Sequence, residues 1–380
     1  MKAAIVGVGL HPFGRYDGKS ALQMGGDAIR LALADAGCQW SDVQAAYAGS
    51  FEATNADAVV SQIGLTGLPV RVIFNGCATG NALLASAAEA IEHGEHDVVV
   101  AVGMDKHPRG AFSADPEASG HPDWYGEAGL FLTTHYFGMK INRYMHEFGI
   151  SHQTLARVAA KNLRIGEMNP KAWRRKALSE EEILASPILN YPLRQYMFCG
   201  PDEGAAAVVL ARPQLAHKFA QPPVYVRAAE LRTRRVGAFE LMCTSLPLDR
   251  VDGPTQEASR AAFEKAGIGP EDVNVIQLQD TDAGSEIIHM AENGFCADGD
   301  QEKLVAAGDT EIGGRLPINT DGGLIANGEP MAASGLRQVY ELIHQLRGTA
   351  GNRQVPGNPT VGYAHLYGAP GAAGCAILSR

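Results

Sequence analysis

Residues 32–49 read ALADAGCQWSDVQAAYAG, and residues 262–279 read AFEKAGIGPEDVNVIQLQ. In both, an amphipathic stretch closes on Ala-Gly (Ala36-Gly37 and Ala266-Gly267), as a helix does when it needs a left-handed residue to stop. Asp-Val follows at the same offset (Asp42-Val43 and Asp272-Val273), and an apolar run then opens a strand. A second pairing sets Cys77-Ala78-Thr79-Gly80 beside Ala332-Ala333-Ser334-Gly335, each opening a helix before an apolar strand. Ala-Gly helix ends occur in any α/β protein, so the first pair alone carries little. Two matched stretches in the same order point to a duplicated βαβ-type unit.

Around these, apolar runs at 3–8, 45–48, 97–103 and 205–211 read as strands. Stretches near 21–36, 78–93 and 151–164 read as helices. Alternating strands and helices imply an α/β fold around a mainly parallel sheet. Gln221-Pro222-Pro223 breaks the chain before a strand at Val224–Ala228, which places the junction between an N-terminal half, 1–220, and a C-terminal half, 221–380. The segment about 105–195 interrupts the first half. Its portion 105–135, rich in Pro, Gly, Asp and His, is too long for a simple connection and suits a lid or a subunit interface.

The 380 residues carry a net charge of −10 without a long basic tract, which argues against a nucleic-acid partner. The six cysteines (38, 77, 199, 243, 296 and 375) form no Cys-x-x-Cys pair, so neither a zinc site nor a disulfide framework is expected. Met1-Lys2 leads directly into an apolar strand, and no run is long enough to span a bilayer, so a cytoplasmic protein is expected. Gly7-x-Gly9-x-x-Pro12 falls short of a dinucleotide fingerprint, because proline stands in the third glycine's place. His93-x-x-His96 sits at a helix end, where cationic side chains meet the dipole. Arg174-Arg175-Lys176 reads most simply as a solvated face that could meet CoA phosphates.

Three clusters carry chemistry. Asn75-Gly76-Cys77-Ala78-Thr79-Gly80 places a cysteine before a helix of small residues, where free N–H groups and the helix dipole favour the thiolate. Its bland alternative is a buried, inert cysteine. Asn319-Thr320-Asp321-Gly322-Gly323 and Ala326-Asn327-Gly328-Glu329-Pro330 form a glycine-rich loop delivering Glu329, either as an acid/base or as a cap for a helix starting at Pro330. The C-terminal run from Gly362 to Gly374, with His365, Tyr367 and Gly368, is a strand–turn–strand that could contribute to a site or be only a hairpin.

Over nearly its whole length the chain resembles the thiolase superfamily, in particular its sterol-carrier-protein-type and lipid-transfer-protein-like branch. The similarity rests on Ala4–Gly9, Cys77-Ala78-Thr79-Gly80, Ala160-Lys161-Asn162 with Asn169-Pro170, Asp202-Glu203-Gly204, Gly322-Gly323, Ala333-Ser334-Gly335 and Gln345-Leu346-Arg347-Gly348. It implies the duplicated, five-layered αβαβα thiolase fold with two central mixed sheets, a dimeric core, and coenzyme A thioesters as substrates with no covalently bound cofactor. It also implies a small zinc-ribbon and OB-fold partner that would carry any zinc. Benzoylsuccinyl-CoA, split to benzoyl-CoA and succinyl-CoA by one similar system, is a candidate substrate type.

Three departures bear on mechanism. Gly328-Glu329-Pro330 stands where family thiolases carry Gly-His-Pro. Gln279-Asp280-Thr281-Asp282 replaces the branch's His-Asp-Cys-Phe. The C-terminal Cys-x-Gly is absent, with His365-Leu366-Tyr367-Gly368 in its place. The resulting expectation is Cys77 as nucleophile, Glu329 in the histidine's role, and His365 or Tyr367 as a second acid/base. Asn75, Gly76, Gln279, Asp280, Asn327, Ser334 and Gly368 are expected around the substrate. An aldolase of the same fold, acting on a β-hydroxyacyl-CoA, and a non-catalytic acyl-CoA-binding subunit are the competing readings.

Overall fold

A computed structural model describes residues 3–53, 55–108, 115–117, 121–129, 132–200, 203–238, 240, 251–369 and 371–380. Met1, Lys2, Asp202, Cys243, Pro370 and parts of the 105–135 segment named above lie outside the described residues.

The strands are β1 (Ala3–Gly14), β2 (Ala45–Gly49), β3 (Val70–Val72), β4 (Val98–Lys106), β5 (Ile188–Asn190), β6 (Leu193–Arg194), β7 (Glu203–Ala211), β8 (Val224–Thr233), β9 (Val275–Gln277), β10 (Val361–Gly368) and β11 (Ala372–Ser379). The helices are α1 (Ala21–Ala36), α2 (Thr79–Glu92), α3 (Trp124–Glu127), α4 (Thr133–Phe148), α5 (His152–Met168) and α6 (Glu180–Ala185). They continue with α7 (Pro254–Ala266), α8 (Ala283–Glu292), α9 (Gln301–Ala306), α10 (Gly323–Asn327) and α11 (Ser334–Arg347).

The repeat in the sequence is a repeat in space. Strand order is β3-β2-β4-β7-β1-β8-β11-β10-β9, which mirrors itself about the β1–β8 seam. Beyond β9, Ile318 bridges Ile276 in parallel, occupying the place that β3 holds in the first half. Helices α1 and α7 both stop at left-handed glycines, Gly37 (φ 69°) and Gly267 (φ 66°). The recurring aspartates also have a shared task. Asp42 accepts from the Gln39 N–H (2.8 Å) and Asp272 from the Gly269 N–H (3.0 Å), each closing a one-turn 3₁₀ helix before its strand.

Five layers follow from which faces bury which residues. Helix α1 packs on one face of the first half-sheet, through Ile29, Ala32 and Leu33 against Val6, Val100 and Val209. Helices α2 and α11 fill the middle between the inner faces of both half-sheets. Helix α7 covers the outer face of the second half. Gly7 and Gly9 serve this packing: a Cβ on either would lie 2.3 or 2.1 Å from carbonyls of α1, so this glycine pair seats a helix rather than a pyrophosphate.

The two mixed half-sheets are joined at the seam by Ala3↔Val226, Ala4↔Tyr225 and Ile5↔Val224, so one ladder runs through nine strands. A mainly parallel sheet does not describe it. Among the described strands of this sheet, β2–β3, β2–β4 and β9–β10 pair in parallel, and β4–β7, β1–β7, β1–β8, β8–β11 and β10–β11 are antiparallel. The short β10–β11 turn permits nothing else. The interruption after β4 folds as α3–α6 with the β5–β6 hairpin, and α4 and α5 share an apolar core with α8.

Candidate active site

The turns that leave β3 and β10 meet at one place, although the ladder runs the strands of the two halves in opposite directions. After β3 the chain turns through Asn75, Gly76 and Cys77 into α2. Gly76 has φ 58°, and a Cβ there would lie 2.6 Å from the Ala369 carbonyl. A Cβ on Gly368 would meet the Asn75 carbonyl at 2.3 Å. The nucleophile turn is thus pressed onto the end of β10 by two glycines that face each other, and the Thr79 hydroxyl braces it by accepting from the Asn75 N–H at 2.8 Å.

Glu329 arrives from the second half. Asp280 accepts from the Leu324 and Ile325 N–H groups (2.6 and 3.2 Å), fixing α10. The buried Arg337 guanidinium pairs with Asp321, and Asn169 and Asn327 side chains both donate to the Asp321 carbonyl. Beneath lies a buried cluster: Lys161 pairs with Glu286, which also accepts from Asn162 and Asn319 (2.9 and 2.8 Å). The Lys161 and Glu286 charges are satisfied by one another, by amides and by the Ile318 carbonyl, the condition under which burial is tolerated.

So held, Glu329 projects into a cavity of about 60 Å³ that Cys77 also lines, together with Thr133 and Phe137 of α4, Met331 and Tyr367. Cys77 is half-buried and opens onto this space. The volume suits the reacting end of an acyl group rather than a whole ligand, which needs several hundred Å³. The Glu329 carboxylate accepts from Thr281 (2.7 Å), Gln279 (3.2 Å), the Cys199 thiol (3.7 Å) and the Cys77 thiol. Burial raises its pKa, and these four donors act against that rise. A carboxylate displaced toward the thiol range and bonded to a thiol is a competent acceptor for the sulfur's proton.

Residues 3–183 match the family described as the thiolase N-terminal domain, and residues 248–380 match the thiolase C-terminal domain-like family. Sterol carrier protein 2 of Oryctolagus cuniculus is 33% identical over 389 aligned residues, 97% of this chain and 70% of that protein. The chain belongs to the thiolase family. Benzoylsuccinyl-CoA thiolase subunit BbsB of Thauera aromatica is 28% identical, covering 97% of this chain and 94% of its own. Among solved structures, an Ltp2-ChsH2(DUF35) aldolase superposes with a TM-score of 0.86 at 27% identity, over 100% of this chain and 98% of that one. The sterol-carrier-type resemblance and the five-layered duplicated fold therefore stand, and the protein is a thiolase-type acyltransferase.

Within this thiolase site the expected residues divide. Cys77, Glu329, Gly76, Gln279 and Tyr367 meet at the cavity. Glu329 is not a helix cap: the helix waits until Ser334, and Pro330 heads only the turn before it. Asn75 and Gly368 shape the nucleophile turn. His365 is not on the cavity wall. It points the same way as Tyr367 along β10 but one pleat deeper, where Nε2 meets Thr255 (3.1 Å) and the ring abuts His289. Asp280, Asn327 and Ser334 are buried scaffold; the Ser334 hydroxyl donates to the Pro330 carbonyl. Tyr367 donates its hydroxyl to Glu240, which also accepts from Tyr136, and burial first and Tyr136 second push its pKa far up. Nor is Arg174 a solvated face: it is largely buried, donating to the Phe198 and Ile325 carbonyls.

Two titratable side chains at the site, besides the Thr133 and Phe137 of its wall, were not singled out from the sequence. Cys199 reaches Glu329 from the loop before β7, and His107 lines the cavity just past β4. Position beyond the carboxyl end of a parallel strand was the available signal for His107. Among the described residues, no cluster of three His, Cys, Asp or Glu side chains could hold a metal ion, and no helix is long and apolar enough to cross a membrane.

Proposed function

We propose that this thiolase cleaves a 3-oxoacyl-CoA by thiolysis through an acyl-Cys77 intermediate, with Glu329 as the proton acceptor for the sulfur. The meeting of the Cys77 thiol and the buried Glu329 carboxylate on the wall of one cavity carries the reading. Glu329 takes the thiol proton as sulfur attacks the 3-oxo carbon. The alkoxide collapses, the C2–C3 bond breaks, and the acyl group stays on sulfur. Coenzyme A then attacks that thioester, and the departing Cys77 sulfur recovers its proton from Glu329. Coenzyme A is a substrate, and no covalently held cofactor takes part.

Phe137, Met331 and Tyr367 give the cavity an aromatic and thioether lining that favours an aryl or branched acyl group. With the likeness to the benzoylsuccinyl-CoA thiolase subunit, this supports a benzoylsuccinyl-CoA-like substrate. That relative is a subunit, and the solved aldolase is a two-protein assembly. We take a small zinc-ribbon and OB-fold protein as the partner here, with any zinc on that partner. Strand β3 is an edge strand whose neighbourhood leaves Leu65, Val72, Phe74 and Phe51 exposed, a surface fit for a homodimeric core. Net charge and the absence of a spanning helix among the described residues are consistent with a cytoplasmic protein that binds no nucleic acid.

Intact-mass measurement after incubation with a panel of coenzyme A thioesters, with and without co-purified protein, tests the proposal. A mass increase equal to the acyl group, lost in Cys77→Ala, is expected. The second reading, a retro-aldolase, draws on the aldolase structure and on Tyr367 at the cavity. It predicts turnover that survives alkylation of Cys77. A non-catalytic acyl-CoA-binding subunit predicts neither adduct nor turnover with any partner.

A further inference from the structure

The scheme above leaves one proton unassigned. When C2–C3 breaks, the electron pair resides on C2 of the departing thioester, and that carbon needs a proton while Glu329 is holding the one from sulfur. By the resemblance, Glu329 stands where family thiolases carry a histidine and Gln279 where the branch does, and His365 is walled off. A different histidine stands at the cavity.

His107 follows β4, is 4% exposed, and lines the same cavity as Cys77 and Glu329. Its Nδ1 lies 2.9 Å from Glu52 Oε1. Its Nε2 is buried and has no hydrogen-bond partner among the described residues. The Asp105 carboxylate approaches Nε2 only to 4.0 Å, and it is already engaged by the Ala332 N–H at 2.7 Å. Buried imidazole nitrogens are ordinarily paired, so the unpaired Nε2 of a histidine that lines a cavity marks a place where a ligand atom belongs.

The surroundings are built to hold that ring. Asp105 accepts from the Ser50 hydroxyl (3.0 Å) and the Phe51 N–H (2.6 Å), which fixes the turn that presents Glu52. Phe51 lies along the imidazole, with ring centroids 5.3 Å apart. The same Asp105, through Ala332, also tethers the turn just beyond Glu329. One buried carboxylate thus positions both candidate proton carriers.

Resting on the thiolase reading, we propose that His107, oriented by Glu52, is the acid/base for carbon. The proposed cycle starts from the imidazolium, with Nδ1–H donated to Glu52 and Nε2–H offered to the substrate. As C2–C3 breaks, Nε2–H is delivered to C2. The neutral imidazole then takes the proton of the incoming coenzyme A thiol, whose sulfur attacks acyl-Cys77, and the released Cys77 sulfur takes back the proton held by Glu329. Cys77, Glu329 and His107 end the cycle as they began it, the coenzyme A thiol proton having in effect passed to C2, and no external oxidant or reductant is needed.

The test separates carbon chemistry from sulfur chemistry in the full chain with whatever protein co-purifies. His107→Asn and His107→Gln are compared with wild type in three assays. These are thiolytic cleavage of a 3-oxoacyl-CoA, exchange of the acyl group between its thioester and labelled coenzyme A at pH 8.5, and alkylation of Cys77 by iodoacetamide. At that pH the thiol ionises unaided, so exchange stays within about tenfold of wild type while cleavage falls about 10²–10⁴-fold. Alkylation is unchanged, and added imidazole partly restores cleavage in His107→Ala. Unaltered cleavage in both conservative variants overturns the proposal, and so does a parallel fall of cleavage, exchange and alkylation, which signals a structural role. A wild-type enzyme that never acylates Cys77, yet exchanges C2 protons with solvent only when His107 is present, would sink the thiolase reading and leave His107 as the carbon acid/base.

Discussion

Glu329→Gln isolates proton transfer from shape. The variant keeps one oxygen to face Thr281 and the two thiols. Its amide nitrogen then replaces Oε1, 3.2 Å from Gln279 Nε2, donor against donor. Gln279 can turn its own amide, whose Oε1 has no partner among the described residues, but only by giving up the Thr281 hydroxyl at 2.8 Å and the Tyr367 carbonyl at 3.0 Å. The net structural cost is about two hydrogen bonds, ~2 kcal/mol. Against it stands a gain. Because the folded-state pKa of Glu329 is raised, its protonated form favours folding, a contribution fully present below the ordinary carboxylate pKa and lost as pH climbs through the raised value. Above neutrality the variant is relieved of a buried charge, so its Tm stays within about 2–3 °C of wild type. Catalysis does not share this tolerance. Loss of a positioned base costs about 10²–10⁴-fold, or roughly 3–5 kcal/mol of barrier. The assay is steady-state cleavage of a 3-oxoacyl-CoA against pH, beside thermal unfolding. Wild type shows an acid limb displaced above the ordinary carboxylate range, and the variant lacks it. Turnover within tenfold of wild type, with the acid limb intact, refutes the role given to Glu329.

Thr281→Val removes a donor that holds the Glu329 pKa down, so the acid limb of the cleavage profile moves to higher pH while the plateau changes less; an unmoved limb contradicts the assignment. Gly76→Ala combines a left-handed φ with a Cβ 2.6 Å from a backbone carbonyl, and denaturant titration should register a loss of about 2–4 kcal/mol. Lys161→Met leaves Glu286 buried without its cation and should cost roughly 3–5 kcal/mol by the same measurement, far beyond an exposed pair.

Much of the architecture could be read from local chemistry. Helix α1 begins at a Ser20 capping box and ends at Gly37, both short-range devices, and α7 repeats the ending. Sheet direction was less legible, because alternation of strands and helices says nothing about the antiparallel seam where β1 meets β8. At the site, Cys77 was legible from its flanking glycines and the helix behind it. Glu329 was legible as a carboxylate but ambiguous in role, since proline after it resembles a helix start and only the delay to Ser334 frees the side chain. His365 misled because two residues along a strand share a face yet differ in depth. Arg174 misled because a run of three cations looks solvated, whereas the carbonyls of Phe198 and Ile325 draw this one inside. His107 depended on contacts made across the fold by Asp105 and Glu52, which no local pattern announces.

Helices α2 and α11 cross where a Cβ on Gly80 would lie 2.7 Å from the Gly335 Cα. Cys77 hangs from one helix just ahead of that crossing, and Glu329 precedes the other. The backbone-to-backbone contact therefore works as a gauge block: it sets the gap between sulfur and carboxyl by axis spacing, not by how far either side chain can stretch. A single methyl at either glycine would part the axes and lengthen a hydrogen bond that tolerates only tenths of an ångström. Substitutions in the buried middle of this protein should thus dim turnover well before they loosen the fold.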